Sequence, residues 1–288
     1  MRVHLVDGTY ELFRHFYGQR DEATRTGRAA VRGVLATVLQ LFDDGATHVA
    51  VATDHVIESF RNALWPGYKT GAGIDPELLS VFPLLEEALI SMGVATFAMV
   101  ELEADDALAT VAAIAAEDDR VEQVAIWTPD KDLGQCVRED GKVVQVDRRA
   151  GKIIDANGVR AKFGVSPPSI PDYLALVGDS ADGFPGLPGW GAKSAAAVLA
   201  CYGSIEKIPD APGQWEVSVR AGATLAHTLA TNRDLALLFK DIATLRVDRN
   251  LLDDVDQIVW VGPTPGFPAF CDRIEAEHVA MRAANLSP

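Results

Sequence analysis

Nine acidic residues hold the chemistry that this sequence could perform. Asp7, Asp54 and Asp130 each close a short apolar run: "VHLVD" (3–7), "HVAVATD" (48–54) and "EQVAIWTPD" (122–130). Glu103, Asp105 and Asp106 open an alanine-rich run in "ELEADDALAT"; Asp132 follows Asp130 in "TPDKDL", and Asp179 and Asp182 lie in "GDSADG". Carboxylates drawn within a few ångströms of one another raise each other's pKa and destabilise the fold that gathers them. Divalent cations remove that repulsion, and a ligand set of oxygens without His or Cys suits Mg²⁺ or Mn²⁺ rather than zinc. So many acids suit two ions, on the order of 4 Å apart, clamping an in-line displacement at phosphorus. Each acid alone has a plainer use. "ELEADD" and "TPDKDL" could be helix entries whose acids serve as caps or first-turn charges, and Asp179 and Asp182 could be Asx-turn residues. Their recurrence at the ends of apolar runs favours the shared metal site.

A second constellation follows directly. In "GLPGWGAKSAAAVL", Gly189 and Gly191 flank Trp190, and Lys193 and Ser194 open a helical run. This is helix–hairpin–helix spacing. Glycines let a backbone press close to a phosphate, amides at a helix start face an anion, and Lys193 adds a positive charge. A lone Gly-x-Gly is more often an ordinary loop; its position just after Asp179 and Asp182 favours one segment that supplies metal ligands at one end and grips a nucleic-acid backbone at the other.

These residues need a scaffold. The three apolar runs ending on aspartate alternate with helical patterns at "RAAVRGVLATVLQLFDD" (28–44), "PELLSVFPLLEEALISMG" (76–93, interrupted at Pro83) and "ADDALATVAAIAAE" (104–117). Buried strands separated by helices predict an α/β fold with a mostly parallel sheet covered on both faces. Ligands of such sheets bind beyond the carboxyl ends of the strands, where Asp7, Asp54 and Asp130 fall. "KVVQVDRRAGKIID" (142–155) predicts a strand pair turning at Ala150-Gly151, and residues 156–245 read as mostly helical. "DIATLRVD" (241–248) predicts a strand or extended arm returning to the first half, and 263–284 ends in a short helix.

The 288 residues carry a net charge of −15, with 48% apolar and 23% charged side chains. Residues 73–135 alone hold 14 acidic and 2 basic side chains. The overall sign is opposite to the usual basic footprint of a nucleic-acid binder, but the excess is local, either a solvated face or a site that expects cations. No run of eighteen apolar residues is present to span a bilayer. Cys136, Cys201 and Cys271 lack zinc or disulfide spacing, so a reduced, cytoplasmic setting is expected. The six histidines share no spacing, and His55 beside Asp54 reads as a surface or packing residue.

Five segments in series, "LVDGTYELFR", "SFRNALWPGYK", "ELEADDALAT", "TPDKDLGQCV" and "GDSADGFPGLPGWGAKSAAAVL", resemble the bacterial and phage 5′-nuclease family, the flap endonucleases and the 5′→3′ exonuclease domain of DNA polymerase I. The resemblance runs over roughly residues 3 to 250. It implies a PIN-like catalytic domain (1–155) with a threading arch near 70–90, a helical helix-three-turn-helix DNA-binding region (156–250), and a C-terminal extension (251–288) packing back on the core. Asp7, Asp54, Glu103 and Asp105 would serve one metal, with Asp106 beside them. Asp130, Asp132, Asp179 and Asp182 would serve another. Arg14, Arg61 and Lys69 match bases near the scissile phosphate. The hairpin at Gly189, Gly191, Lys193 and Ser194 resembles one that holds K⁺ against a duplex backbone.

The implied substrates are DNA with a 5′ flap, nick, gap or free 5′ end, and RNA primers; the implied state is a monomer. With no polymerase segment in the sequence, a stand-alone member is expected. Two departures stand out: "TGAGID" after "GYK" lacks a further base, and "SADG" replaces the usual Ser-Asp-Asn ending. Two other functions fit parts of the pattern: a DNA-binding member without turnover, suggested by the poorly basic arch, and a PIN-type ribonuclease with the same metal chemistry. The full set of acids argues against the first and the helix–hairpin element against the second.

Overall fold

The apolar, β-branched runs form strands whose buried positions meet helices on both sides. The computed structural model describes residues 1–21 and 25–287. It divides into two compact units that do not follow chain order: residues 1–59, 71–128 and 246–288 form the first, and 60–70 with 129–245 the second.

The first unit carries four parallel strands: β1 (Arg2–Asp7), β2 (His48–Asp54), β3 (Ala95–Met99) and β4 (Gln123–Trp127). β1 pairs with β2 (Val6 opposite Val51) and with β4 (Leu5 opposite Ile126), and β2 pairs with β3 (Ala52 opposite Phe97). β3 is the strand that the sequence pattern did not announce; its alanines and partly exposed positions give no continuous apolar run. Alternation along β2 shows how the faces are covered. Thr53 bonds Glu86 of the helix Phe82–Ser91, while Asp54 accepts a backbone N–H from Ala104, which opens the helix Ala104–Glu117. Adjacent residues of one strand thus meet opposite layers.

On the first face, the helices Gly8–Tyr17, Gly27–Asp43 and Phe82–Ser91 share one core with the C-terminal helices Phe267–Arg273 and Glu277–Leu286, through Leu12, Leu35, Leu85, Phe267 and Val279. On the second, Ala104–Glu117 buries Ala107, Leu108, Val111 and Ala115. Such small side chains let a helix sit close to the sheet. Within residues 70–90 lie the helices Pro76–Ser80 and Phe82–Ser91, with Leu78, Phe82, Leu85 and Leu89 in that core. Pro83 stands in the first turn of the second helix, where its missing N–H has no intrahelical partner to lose. Residues 246–288 belong to this unit. Trp260 stacks on Phe42 at 3.9 Å between ring centroids and donates its indole N–H to Met92 O.

The second unit holds an antiparallel hairpin, β5 (Val143–Asp147) and β6 (Lys152–Ile154), turning at Ala150-Gly151. Its helices Ile170–Val177, Ala192–Tyr202, Gly222–Thr231 and Arg233–Ala243 enclose Leu174, Val198, Leu225 and Phe239. Lys240 binds buried Asp172 at 2.9 Å and Glu206 at 2.8 Å, tying the loop after Tyr202 to the last helix. The segment 241–248 is not a strand: helix runs to Ala243, and the chain beyond it is irregular. No helix among the described residues is long and apolar enough to cross a membrane.

Candidate active site

Five of the nine acids lie in the first unit and four in the second. Those of the first unit follow the carboxyl ends of its strands. Asp7 ends β1 and caps the next helix, accepting from Tyr10 N at 2.8 Å while its other oxygen accepts from Thr128 Oγ1 at 2.9 Å. Asp54 ends β2 and accepts from Ala104 N at 2.8 Å. Glu103, buried, accepts from Ser59 Oγ at 2.6 Å. Asp105 is partly exposed in the first helical turn. Asp106 is fully buried, with one oxygen accepting from Glu103 N and the other from Arg246 N. Asp106 therefore does the work of a helix cap and a tether. Among the described residues, no three carboxylates of this unit bring oxygens within metal-ligand spacing.

The second unit does gather its acids. Oxygens of Asp132, Asp179 and Asp182 all lie within 4.8 Å of one another, and all three residues are buried. A turn builds this. Asp179 and Phe184 exchange backbone hydrogen bonds, and Gly183 between them sits at φ +83°. A Cβ at Gly183 would stand 2.0 Å from Gly67 O, so the glycine that departs from the resemblance is required here. Lys69 N donates to Asp182 O at 2.9 Å, and Trp65 Nε1 donates to Gly183 O at 3.0 Å, bracing the same turn. Asp130 is exposed, and its Oδ1 accepts from Asp132 N at 3.0 Å.

The electrostatics of this cluster are unfavourable as it stands. Burial raises the Asp132 carboxyl well above the ordinary range, and the charges of Asp130, Asp182 and Asp179 push it further. Its Oδ1 is buried without a hydrogen-bond partner. Two lysines offset part of the charge: Lys131 Nζ lies 2.5 Å from Asp179 Oδ2, and Lys69 Nζ lies 3.2 Å from Asp182 Oδ1. Burial works against the Lys131 charge, but the hydrogen bond to Asp179 and the fields of Asp179, Asp132 and Asp130 outweigh it and hold its pKa above the usual value. An orphaned buried carboxylate oxygen and an all-oxygen donor set fit a hard divalent cation.

The bases read from the sequence are placed unequally. Lys69 stands at the cluster, partly exposed. Arg14 pairs with buried Glu11 and reaches Thr37 Oγ1 at 3.3 Å. Arg61 is buried. It is 1% exposed, donates from Nε to Ile242 O at 2.8 Å and from a terminal nitrogen to Thr244 O, and lies over the Phe60 ring. Its guanidinium is thus enclosed in the unit and bonded to carbonyls at a helix end.

The hairpin residues lie at the start of the helix Ala192–Tyr202. Gly189 takes φ +82°, Trp190 is buried beneath, and Gly191 N donates to Ser194 Oγ, which donates to Gly191 O. Nothing lies within 4 Å of a Cβ placed on Gly191, leaving that backbone open. Gly189, Gly191, exposed Lys193 and Ser194 line an open cavity of about 720 Å³ with Ser218 and Arg220. Sequence reasoning passed over Arg220 and Lys131. Arg220 lies far along the chain from the hairpin, whereas Lys131 sits inside the quoted "TPDKDL" and could have been found there.

A parallel-stranded α/β unit with acids at its strand ends, joined in one chain to a helical unit holding a buried aspartate cluster and an open glycine hairpin, defines a nuclease architecture. Residues 2–164 match the N-terminal, resolvase-like domain of the 5′–3′ exonucleases, and residues 165–265 match their C-terminal SAM fold. The chain belongs to this 5′–3′ exonuclease family. DNA polymerase I of Pseudomonas aeruginosa is 35% identical over 268 residues, which cover 88% of this chain and 28% of that protein. DNA polymerase I of Bacillus subtilis is 30% identical, with 90% and 29% covered. The chain thus spans less than a third of the length of these curated relatives. T5 5′-exonuclease solved with divalent zinc ions has the same fold, with a TM-score of 0.63, 16% identity, and 99% and 98% of the two chains covered. The catalytic core of Rad2 in complex with a DNA substrate gives 0.65, 17%, 99% and 92%.

Proposed function

We propose that this chain is a structure-specific, divalent-metal-dependent 5′ nuclease that hydrolyses DNA phosphodiesters as a 5′-flap endonuclease and 5′→3′ exonuclease. The single observation that carries this reading is the buried Asp132–Asp179–Asp182 cluster, with oxygens within 4.8 Å of one another and Asp132 Oδ1 left without a partner. In this reading Asp132, Asp179 and Asp182, with Asp130, hold one ion, and Asp7, Asp54, Glu103 and Asp105 hold another. Mg²⁺ or Mn²⁺ is the ion expected at the acids, and K⁺ at the hairpin. When bound, such ions supply Lewis-acid charge for an in-line displacement at phosphorus. Lys69 orients and neutralises the phosphate. The backbone of Gly189–Gly191 and Lys193 hold the nucleic acid without reading its bases. The chain acts as a monomer in the cytoplasm on DNA with a flap, nick, gap or free 5′ end, in replication and repair.

The test is cleavage. Purified chain is incubated with 5′-flap DNA, nicked duplex and an RNA flap, each with Mn²⁺, with Mg²⁺ or with chelator. Cleavage of the DNA flap with metal and none with chelator is the expected result. Folded protein that leaves every DNA substrate intact under all conditions refutes the reading. Preference for the RNA flap would make it a ribonuclease instead.

A further inference from the structure

The acid cluster is not bare. Asp179 Oδ1 accepts from Ala181 N at 2.9 Å, and its Oδ2 meets Lys131 Nζ at 2.5 Å. Both oxygens of a nearly buried carboxylate are therefore engaged, one by a fixed backbone amide and one by a side chain that is itself 31% exposed. Asp132, next to Lys131 in sequence, leaves an oxygen without a partner. Lys69 differs from Lys131. Its backbone N–H is bonded to Asp182 O, and its carbonyl accepts from Asn62 Nδ2, so it is built into the turn. Lys131 reaches the cluster by its side chain, from a partly exposed position with a path to solvent.

We propose that Lys131 is the resident counter-cation of the metal-free cluster, holding Asp179 in place and giving up Asp179 Oδ2 when a divalent cation binds. This rests on the reading of Asp132, Asp179 and Asp182 as metal ligands. Three buried carboxylates without a cation repel one another, and one ammonium at hydrogen-bond distance offsets part of that repulsion. A lysine suits the role because it is a compact point charge on a flexible stem that can swing away; the planar fork of an arginine would grip the carboxylate with two bonds. Lys131 is thus a positioning residue, and it sets both the stability of the metal-free protein and its affinity for metal. The two effects have opposite signs. The ion pair helps the empty site and competes with the filled one.

The test is calorimetric titration of Mn²⁺ alone into the full chain at fixed pH, with thermal melts before and after. Lys131→Met keeps most of the side chain's bulk and removes the charge. It should lower the melting temperature of the metal-free protein and tighten Mn²⁺ binding up to about fivefold, the scale of one partly exposed ion pair removed. In an Asp179→Asn background the same change should leave the affinity where it was. Lys131→Arg, which keeps the charge and should preserve folding, is expected to weaken Mn²⁺ binding. Unchanged or weaker binding in Lys131→Met overturns the role given to Lys131 while the metal site stands. If Lys131→Met does not fold, Lys131→Arg decides: weaker binding supports the role, and unchanged or tighter binding overturns it. If the parent chain takes up no Mn²⁺, the metal reading fails and this inference with it.

Discussion

At the scale of single residues, burial separates acids that hold the fold from one that works against it. Asp106 is enclosed with both oxygens on backbone amides, so its charge is compensated within the fold. Asp132 is enclosed with an orphaned oxygen and three carboxylate neighbours. Asp132→Asn should therefore raise the melting temperature of the metal-free protein, by roughly 2–4 °C for each kcal/mol of repulsion removed in a chain of this size. The same change should cut flap cleavage roughly 100-fold or more, since even groups that merely support metal ligands are worth about 10–100-fold. Stability without activity is the signature to look for, in melts and single-turnover cleavage. Arg61 predicts the reverse. Arg61→Ala leaves the carbonyls of Ile242 and Thr244 without their donor and empties the space over Phe60. It should cost about 2–4 kcal/mol in denaturant unfolding, while activity of the remaining folded protein stays close to the parent's. The sequence carries Arg61 as a base in a motif but cannot show that its guanidinium turns inward. Caps and ligands use the same residue types at helix starts, so the sequence alone does not mark Asp106 as a cap.

At the scale of elements, apolar runs closed by aspartate read directly as β1, β2 and β4, because a strand covered on both faces leaves a continuous β-branched signature. β3 was illegible for the opposite reason: Ala95–Met99 is half exposed and rich in small residues. The turn 179–184 was legible as a glycine-bearing loop but not as a metal-gathering device, since its function depends on the approach of residues 65–70, more than a hundred positions earlier. Gly183→Ala tests that device. Alanine at φ +83° carries a left-handed penalty of about 1–2 kcal/mol, and its Cβ would meet Gly67 O at 2.0 Å. The variant should lose about 2 kcal/mol or more in urea unfolding, and its Mn²⁺ affinity should fall because Asp182 is displaced with the turn. Unaltered Mn²⁺ binding would show that the turn does not position the acid.

At the scale of the whole molecule, a chain of net charge −15 is expected to meet a polyanion. The repulsion is local in sequence, and the contacts proposed for the nucleic acid lie elsewhere: Lys193 is exposed at the hairpin beside an open backbone. Association should weaken with salt as phosphate contacts release counterions. Lys193→Ala should lower the slope of log affinity against log salt by about 0.9, at equal cost on every DNA sequence tested. A sequence-dependent loss, or an unchanged slope, would remove Lys193 from the phosphate contacts. The order of motifs along the chain made the family legible. The place of residues 60–70 was not legible, because they belong with chain far from them in sequence.

The most direct test of the central claim is anomalous scattering from crystals of this chain soaked in Mn²⁺. The account predicts a manganese peak coordinated by Asp132, Asp179 and Asp182, with Lys131 Nζ withdrawn from Asp179 Oδ2. Well-ordered crystals that show no peak at those oxygens, with Lys131 still on Asp179, would contradict it.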